Sequence, residues 1–482
     1  MIYYLLIIVF YLIFVYLAWQ NIAWGVYLIC ALLPAYLIRY SIFGLPATLL
    51  EGLIIMAFIV WLVKLKKEKN LTFNPLTWIK NILNPQSLIL NRQNPVPSSL
   101  RLPLILLLIA ATVSIFVSPD FRAAAGVWKA YFMEAIMFLL LFVYNIKTTT
   151  QIKKVIYSLG LTTLAIGLFA LIQKFTGLLI PNPFWAEAAT RRVTTFFGYP
   201  NANALFVLPV IFLTIANLLT EKKRLYKYLD ILVLALAILT IILTKSTGAV
   251  LGLIAGLLFW LTFNKKTRLA ALIILAVVVL GLNFSPAVKN KIAAKYLEVQ
   301  STHLPLNPSD LHMRVQQWRE TYQLMAGRQI LGAGLAGYQT AVAPFHQNPH
   351  VEIYLYPHNF FLNFWTETGL LGLISIVWIL IIFFRLIHNL RQRRIRLWRT
   401  LFIIRESRIK NNELRIMNKE RILTLASTCA MIALLVYGLV DVPYFKNDLA
   451  ILFWIIVGIV IVIYNNSRRR AGVVERDALE KR

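Results

Sequence analysis

Residues 310–372 read DLHMRVQQWRETYQLMAGRQILGAGLAGYQTAVAPFHQNPHVEIYLYPHNFFLNFWTETGLLG. The stretch is mostly water-soluble in character. It then passes through His358 into HNFFLNFWTETGLLGLISIVWIL (358–380), which is apolar enough to enter a hydrocarbon core. What lies on either side is similar to that last part. Apolar runs fall near 2–18, 21–38, 46–63, 102–118, 127–145, 155–176, 202–219, 229–244, 248–263, 269–285, 358–386, 422–440 and 448–465. At about 1.5 Å of rise per residue, about 20 residues cross a hydrocarbon core of ~30 Å. The sequence therefore predicts an all-α polytopic membrane protein of about 12–13 transmembrane helices with one large helical external loop.

Composition agrees. The 482 residues are 59% hydrophobic and 14% charged, with mean hydropathy +0.70, which excludes an ordinary soluble domain. The opening MIYYLLIIVFYLIFVYLAW has no basic lead and no small-residue cleavage site, so a retained first helix is expected in place of a signal peptide. Cys30 and Cys429 both lie in apolar runs and support neither a disulfide framework nor a metal site. The net charge of +29 does not call for nucleic acid, because Lys and Arg cluster in the loops between apolar runs.

Those clusters orient the chain. Segment 64–101, Lys147/Lys153/Lys154, Lys222/Lys223/Arg224/Lys227, Lys265/Lys266/Arg268 and the run from Arg391 to Arg421 are expected inside. Alternation then puts 177–201, 286–357 and the N-terminus outside; with twelve spans the N-terminus would be internal. The expected divisions are 1–100 (N-terminal helices and linker), 101–285 (transmembrane core), 286–357 (large external loop), 358–465 (C-terminal helices with the basic insert 388–421) and a tail, 466–482. The linker 64–101 and the basic insert are expected to touch lipid headgroups.

Two external segments carry polar chemistry. In PNPFWAEAATRRVTTFFGYPNANALF (181–206), Arg191 and Arg192 run against the positive-inside pattern. Asn201 or Asn203 can cap the helix that follows, and an outward helix N-terminus beside two arginines suits an anion. In the larger segment a helix starts near Asp310, with Ser309 as its cap. Leu311, Val315, Trp318, Tyr322 and Met325 give it one apolar face, and Arg314, Arg319 and Arg328 are available beside it.

Five histidines, His303, His312, His346, His350 and His358, lie in this region without metal-ligand spacing, and Glu352 is the one acid near the last three. No metal site is expected. His358 stands apart because it opens a membrane helix. A helix N-terminus and nearby arginines favour neutral imidazole, the form a general base needs; the alternative is a histidine that only caps the helix. Asn359, Asn363 and Glu367 follow at four-residue steps and need partners within the bundle, and Gly369 and Gly372 permit close helix packing.

At this point a family likeness can be named. RRVTTFFGYPNANALF (191–206), RVQQWRETYQLM (314–325), ILGAGLAGY (330–338), HNFFLNFWTETGLLGL (358–373) and YGLVDVPYFKNDLAILFWIIVGI (437–459) together resemble the O-antigen ligase and O-antigen polymerase superfamily, over roughly 100–465. The pattern His-Asn-x-x-Leu-x-x-x-x-Glu-x-Gly from His358 to Gly369 is the most specific part. The resemblance implies a C-type glycosyltransferase fold in the inner (plasma) membrane with its active site on the outer face. It implies inverting transfer of a glycan, without metal or cofactor, from a polyprenyl diphosphate carrier to a hydroxyl on a glycolipid, a growing glycan or a protein. It carries catalytic roles onto His358, Arg314 and Arg192, and substrate binding onto Arg191, Lys245, Arg319 and Asn359. This chain departs from the family in three places. Ser246-Thr247-Gly248-Ala249 stands where the family often has Ser-Arg-Gly-Ala, with Lys245 beside it, Tyr437 stands where a histidine is often found, and the basic insert 391–421 is unusually long. A polymerase, a protein O-oligosaccharyltransferase and, from another class, a lipid-glycan flippase are the alternatives.

Overall fold

A computed structural model describes residues 2–42, 45–69, 94–263, 267–269, 272–273, 310–348, 351–403 and 407–480. The linker 70–93, most of the run 269–285, the first part of the large loop (286–309, with His303 and Ser309) and His350 lie outside the described residues. The fold is all-α apart from one hairpin. Its helices are α1 (Ile2–Gln20), α2 (Ile22–Ala31), α3 (Leu49–Lys69), α4 (Ser98–Val117), α5 (Phe121–Asn145), α6 (Thr149–Thr176) and the single turn α7 (Pro183–Ala186). After these come α8 (Pro200–Thr220), α9 (Arg224–Thr244), α10 (Thr247–Phe263), α11 (Asp310–Met325) and α12 (Tyr338–Val342). Three long helices follow: α13 (Phe360–Ile403), α14 (Ser407–Tyr437) and α15 (Asn447–Glu480).

Among the described residues, nine helices are long and apolar enough to cross a membrane, and α2 and α10 are shorter apolar helices. The differences from the expected runs have local causes. The run 21–38 stops as an α-helix at Ala31 and finishes as a 3-10 turn, Leu33–Leu37, because Pro34 has no N–H to continue the ladder. The next run is delayed by a hairpin, β1 (Arg39–Ile42) with β2 (Leu45–Thr48), in the register Arg39↔Thr48. Four-residue strands are too short for their alternation to stand out in a sequence.

α8 and α15 are the most buried of these spans. α8 packs against α9 and α14, α14 against α10, and α13 against α4 and α15. Gly252 lets α10 approach α14 closely, since a Cβ there would sit 2.6 Å from the Ala433 carbonyl oxygen. Chain direction brings the segments 177–199, 245–246, 310–359 and 438–446 to one end of the bundle. The basic clusters gather at the other end. There the described parts of the insert simply prolong α13 and α14, where Arg470 pairs with Glu420 and the Arg393 guanidinium donates to the Tyr464 hydroxyl at 2.9 Å.

Gly369 is not the packing glycine the sequence suggested. It breaks α13, with φ 66° and ψ −172°, a conformation closed to side-chain-bearing residues. The glycine-rich segment after α11 fills the break. Ala333 N–H donates to the Thr366 carbonyl at 2.7 Å, Leu370 N–H to the Ile330 carbonyl at 2.9 Å, and Ala336 N–H to the Glu367 carboxylate at 2.6 Å. Glu367 thus finds its partner in the segment after α11.

Candidate active site

The two adjacent arginines part company. Arg191 turns back to its own loop, donating from Nε to the Ala186 carbonyl (3.0 Å) and from Nη1 to the Lys174 carbonyl (2.8 Å). Lys174 lies in the last turn of α6, so Arg191 satisfies a carbonyl orphaned by the helix end. Arg192 points inward, donating from Nε to the Thr244 carbonyl at the end of α9 (2.9 Å) and from Nη2 to Asn201 Oδ1 (3.3 Å). Below them Gln173 Oε1 accepts from the N–H groups of Thr194 (2.8 Å) and Thr195 (2.7 Å), which holds this stretch down into the bundle.

Neither asparagine caps α8. Tyr199 occupies the cap position without a side-chain bond, and Pro200 needs none because it has no N–H. Asn201 instead bridges Arg192 to Asp441, donating from Nδ2 to Oδ2 at 2.9 Å. Asn203 turns to Thr195 and to the Val193 and Tyr199 carbonyls.

α11 buries the face opposite to expectation. Met325 is buried, but Tyr322 is 58% exposed, while His312, Gln317, Glu320 and Thr321 are all buried. Polar partners draw that face in. Thr321 Oγ1 meets the Tyr338 hydroxyl at 2.9 Å, Glu320 meets His346, and Gln317 meets His358. Trp318 Nε1 also donates to the Pro357 carbonyl at 3.0 Å, tying α11 to the strand-like segment that enters α13.

His358 stands two residues before α13 and does not cap it. Asn359 does, its Oδ1 accepting from the N–H groups of Phe361 (3.0 Å) and Leu362 (3.1 Å) while its Nδ2 donates to the Leu439 carbonyl (3.0 Å). His358 itself has φ 44°, a strained value for a residue with a side chain. Its ring sits against Tyr354 and Tyr356, with centroids at 5.0 and 5.2 Å. Its Nδ1 lies 3.1 Å from Gln317 Oε1. An amide oxygen can only accept, so Nδ1 carries the proton and Nε2 is the basic nitrogen of the neutral ring.

Arg314 lies one turn before Gln317 on α11. Its Nη1 is buried and meets no hydrogen-bond partner among the described residues. At the end of α14 the Tyr437 hydroxyl donates to the carbonyl of Asn201 at 3.4 Å, the residue whose side chain holds Arg192. That hydroxyl is 2.6 Å from Ser246 Oγ. Tyr356 belongs to the same neighbourhood. Burial and then the Asp441 carboxylate push its phenol well above the usual range, and Arg314 pulls the other way.

Of the remaining expected residues, Lys245 is exposed, in a left-handed conformation after α9, and Arg319 is exposed on α11. No group of three metal-ligating side chains occurs among the described residues. His346 uses its nitrogens on Glu320 Oε2 (3.1 Å) and the Val351 carbonyl (2.9 Å).

Sequence reasoning missed Gln317 and Asp441. The signal for Gln317 was its three-residue step from Arg314, and for Asp441 a lone acid in a turn between apolar runs. It also missed Lys446, half-buried, whose buried Nζ lies 4.4 Å from the Phe197 ring centre and 5.5 Å from that of Tyr36. The structure thus sets His358 against Gln317, one turn from Arg314 on α11, and ties Arg192 to Asn201 and Asp441; a base and guanidinium groups are the kinds of group that displacement of an anionic leaving group by a hydroxyl needs.

Residues 232–377 match the family described as O-Antigen ligase. The matched segment is less than a third of the chain and runs from α9 into α13. It includes Lys245, Arg314, Arg319, His358 and Asn359 but not Arg191 or Arg192. No curated protein matches the chain.

Proposed function

We propose that this chain, whose residues 232–377 match the O-antigen ligase family, transfers a glycan from a polyprenyl diphosphate carrier to an acceptor hydroxyl at the outer face of the cytoplasmic membrane. The observation that carries the reading is the buried, unpartnered Nη1 of Arg314 beside the His358–Gln317 pair. An arginine held without an acceptor suits a phosphate oxygen, and a histidine with its proton fixed on Nδ1 suits a hydroxyl.

In the proposed step His358 Nε2 takes the acceptor's proton while the hydroxyl oxygen forms its bond to the anomeric carbon. The bond from that carbon to the diphosphate oxygen breaks, its electron pair stays on the diphosphate, and the anomeric carbon inverts. Arg314 and Arg192 neutralise the charge that develops there, and no metal takes part. Arg192 is held for this task by Thr244 and Asn201, with Asp441 behind them. Lys245 and Arg319, which are exposed, would contact substrate beside these groups, whereas Arg191 and Asn359, expected there from the sequence, spend their polar atoms on the fold itself. The acceptor is a glycolipid in the ligase form of the reading, and a growing glycan or a protein hydroxyl in its variants.

Flipping of the lipid-linked glycan is a second reading. It is favoured by Glu134 and Asp448, whose buried carboxylates meet no hydrogen-bond partner among the described residues. Purified protein in liposomes with a lipid-linked donor separates the two. Transfer predicts release of polyprenyl diphosphate and a longer acceptor, undiminished by EDTA and lost in His358→Gln by about 10²–10⁴-fold. Translocation of intact donor without any product would refute transfer.

A further inference from the structure

His346 is engaged by two groups that can only accept. Nδ1 faces Glu320 Oε2 at 3.1 Å and Nε2 faces the Val351 carbonyl at 2.9 Å. A neutral imidazole has one N–H and leaves one of these acceptors against a lone pair; the imidazolium has two and satisfies both. The site is well covered, with side-chain exposures of 14% for His346 and 5% for Glu320. Glu320 Oε1 is also engaged, by Gln316 Nε2 (2.9 Å) and the Gln347 N–H (3.3 Å). Glu320, Gln317 and Arg314 follow at three-residue steps on α11. What pins Glu320 therefore also sets the helix that holds His358 and presents Arg314.

We propose that His346 is a positioning residue that acts through Glu320, and that its protonated form locks α11 in the arrangement the transfer reaction requires. The inference rests on the function proposed above for Arg314 and His358. Burial alone would lower the affinity of His346 for its proton, but the hydrogen bonds from Glu320 and Val351 and the Glu320 charge outweigh it, and the net shift is upward. Among the described residues, the titratable groups facing the ring are Glu320 from α11, Tyr338 from α12, and Glu352 and Tyr354 from the segment after it. Glu352 is exposed, and Tyr338 and Tyr354 are phenols. Glu320 is thus the buried carboxylate that meets the ring. A histidine whose folded pKa is raised contributes its full stabilisation below the unfolded value and loses it as pH rises through the folded value. The lock is therefore present on the acid side and released on the alkaline side.

Two measurements on the full-length protein in nanodiscs test this. The first is hydrogen exchange of α11 at pH 6 and pH 8.5, after correction for the intrinsic pH dependence. The wild type should lose protection by about tenfold on the alkaline side, the size of one charge-assisted hydrogen bond. His346→Gln and Glu320→Gln should be equally protected at both values. The second is the pH profile of kcat/KM for lipid-linked donor. The wild type should show an alkaline limb that disappears in both variants, with the change falling on KM for donor because Arg314 is displaced. Unchanged exchange at the two pH values, or an alkaline limb that survives in a folded His346→Gln protein, overturns the lock. A pH-dependent lock in a protein that transfers no glycan would leave the lock standing and overturn the proposed function alone.

Discussion

Gln317 offers a sharp test of the base, because it touches the histidine and not the substrate. Its Oε1 accepts from His358 Nδ1 at 3.1 Å within a buried face of α11. Gln317→Leu removes that acceptor without adding charge. One ordinary hydrogen bond contributes about 0.5–1.5 kcal/mol, so the Nδ1–H tautomer should lose about 2- to 12-fold in population, and kcat with it. That is far less than the ~10²–10⁴-fold expected when the base itself is removed. Gln317→Glu has a different signature. A carboxylate at this distance stabilises the imidazolium, so the acid limb of the pH–rate profile should move to higher pH by about one unit or more. The assay is single-turnover release of polyprenyl diphosphate from pH 5 to 9. A fully active Gln317→Leu enzyme together with an unshifted limb in Gln317→Glu would show that His358 does not work through Nε2 in the tautomer described above.

Three further outcomes follow from the geometry. Arg314→Ala should lower turnover by ~10²-fold or more and Arg314→Lys should recover only part, since an ammonium lacks the guanidinium fork; near-normal turnover in folded Arg314→Ala would place the diphosphate elsewhere. Arg192→Ala should likewise impair turnover, whereas Arg191→Ala should lower thermal stability by about 1 kcal/mol or more with catalysis largely kept, because Arg191 spends its donors on two carbonyls; the reverse ranking in a thermal-shift and activity pair would refute this division. An impermeant thiol reagent on intact cells should label Thr340→Cys and not Asn411→Cys, and the opposite result would invert the orientation and remove the site from the outer face.

The all-α class could be read directly, because a span of apolar residues long enough to cross lipid has few other uses. His358 and the pair Arg191/Arg192 could be singled out because each breaks a local rule, a histidine at a helix mouth and basic residues against the charge pattern of the loops, whereas Arg314 was one of three arginines beside α11 and was picked out by the family likeness alone. Other features depended on direction, which a one-dimensional string does not record. Arg191 and Arg192 are chemically identical neighbours, and only the fold sends one to α6 and the other to Asn201. α11 looked amphipathic by its apolar residues, yet hydrogen-bond partners from segments 20 to 40 residues away chose its polar face for burial. Asn201 looked like a cap, but it lies inside the helix that starts at Pro200, and its side chain goes to Arg192 and Asp441 instead. Gly369 reads the same whether it packs a helix or breaks one.

The stitching of residues 330–336 into the break at Gly369 bears on how this protein can be taken apart. Two of its hydrogen bonds join backbone to backbone and a third joins backbone to a carboxylate, so no side-chain substitution can supply them from elsewhere. The soluble-looking loop is therefore not a module. Excised at residue 357 and expressed alone, it would present the Ala333 and Ala336 N–H groups and the Ile330 carbonyl with their partners left behind in α13. An antibody, inhibitor or crystallisation partner raised against such a fragment would meet a shape the intact protein does not display. A binder meant to recognise the native outer surface has to be selected against the whole chain in its bilayer.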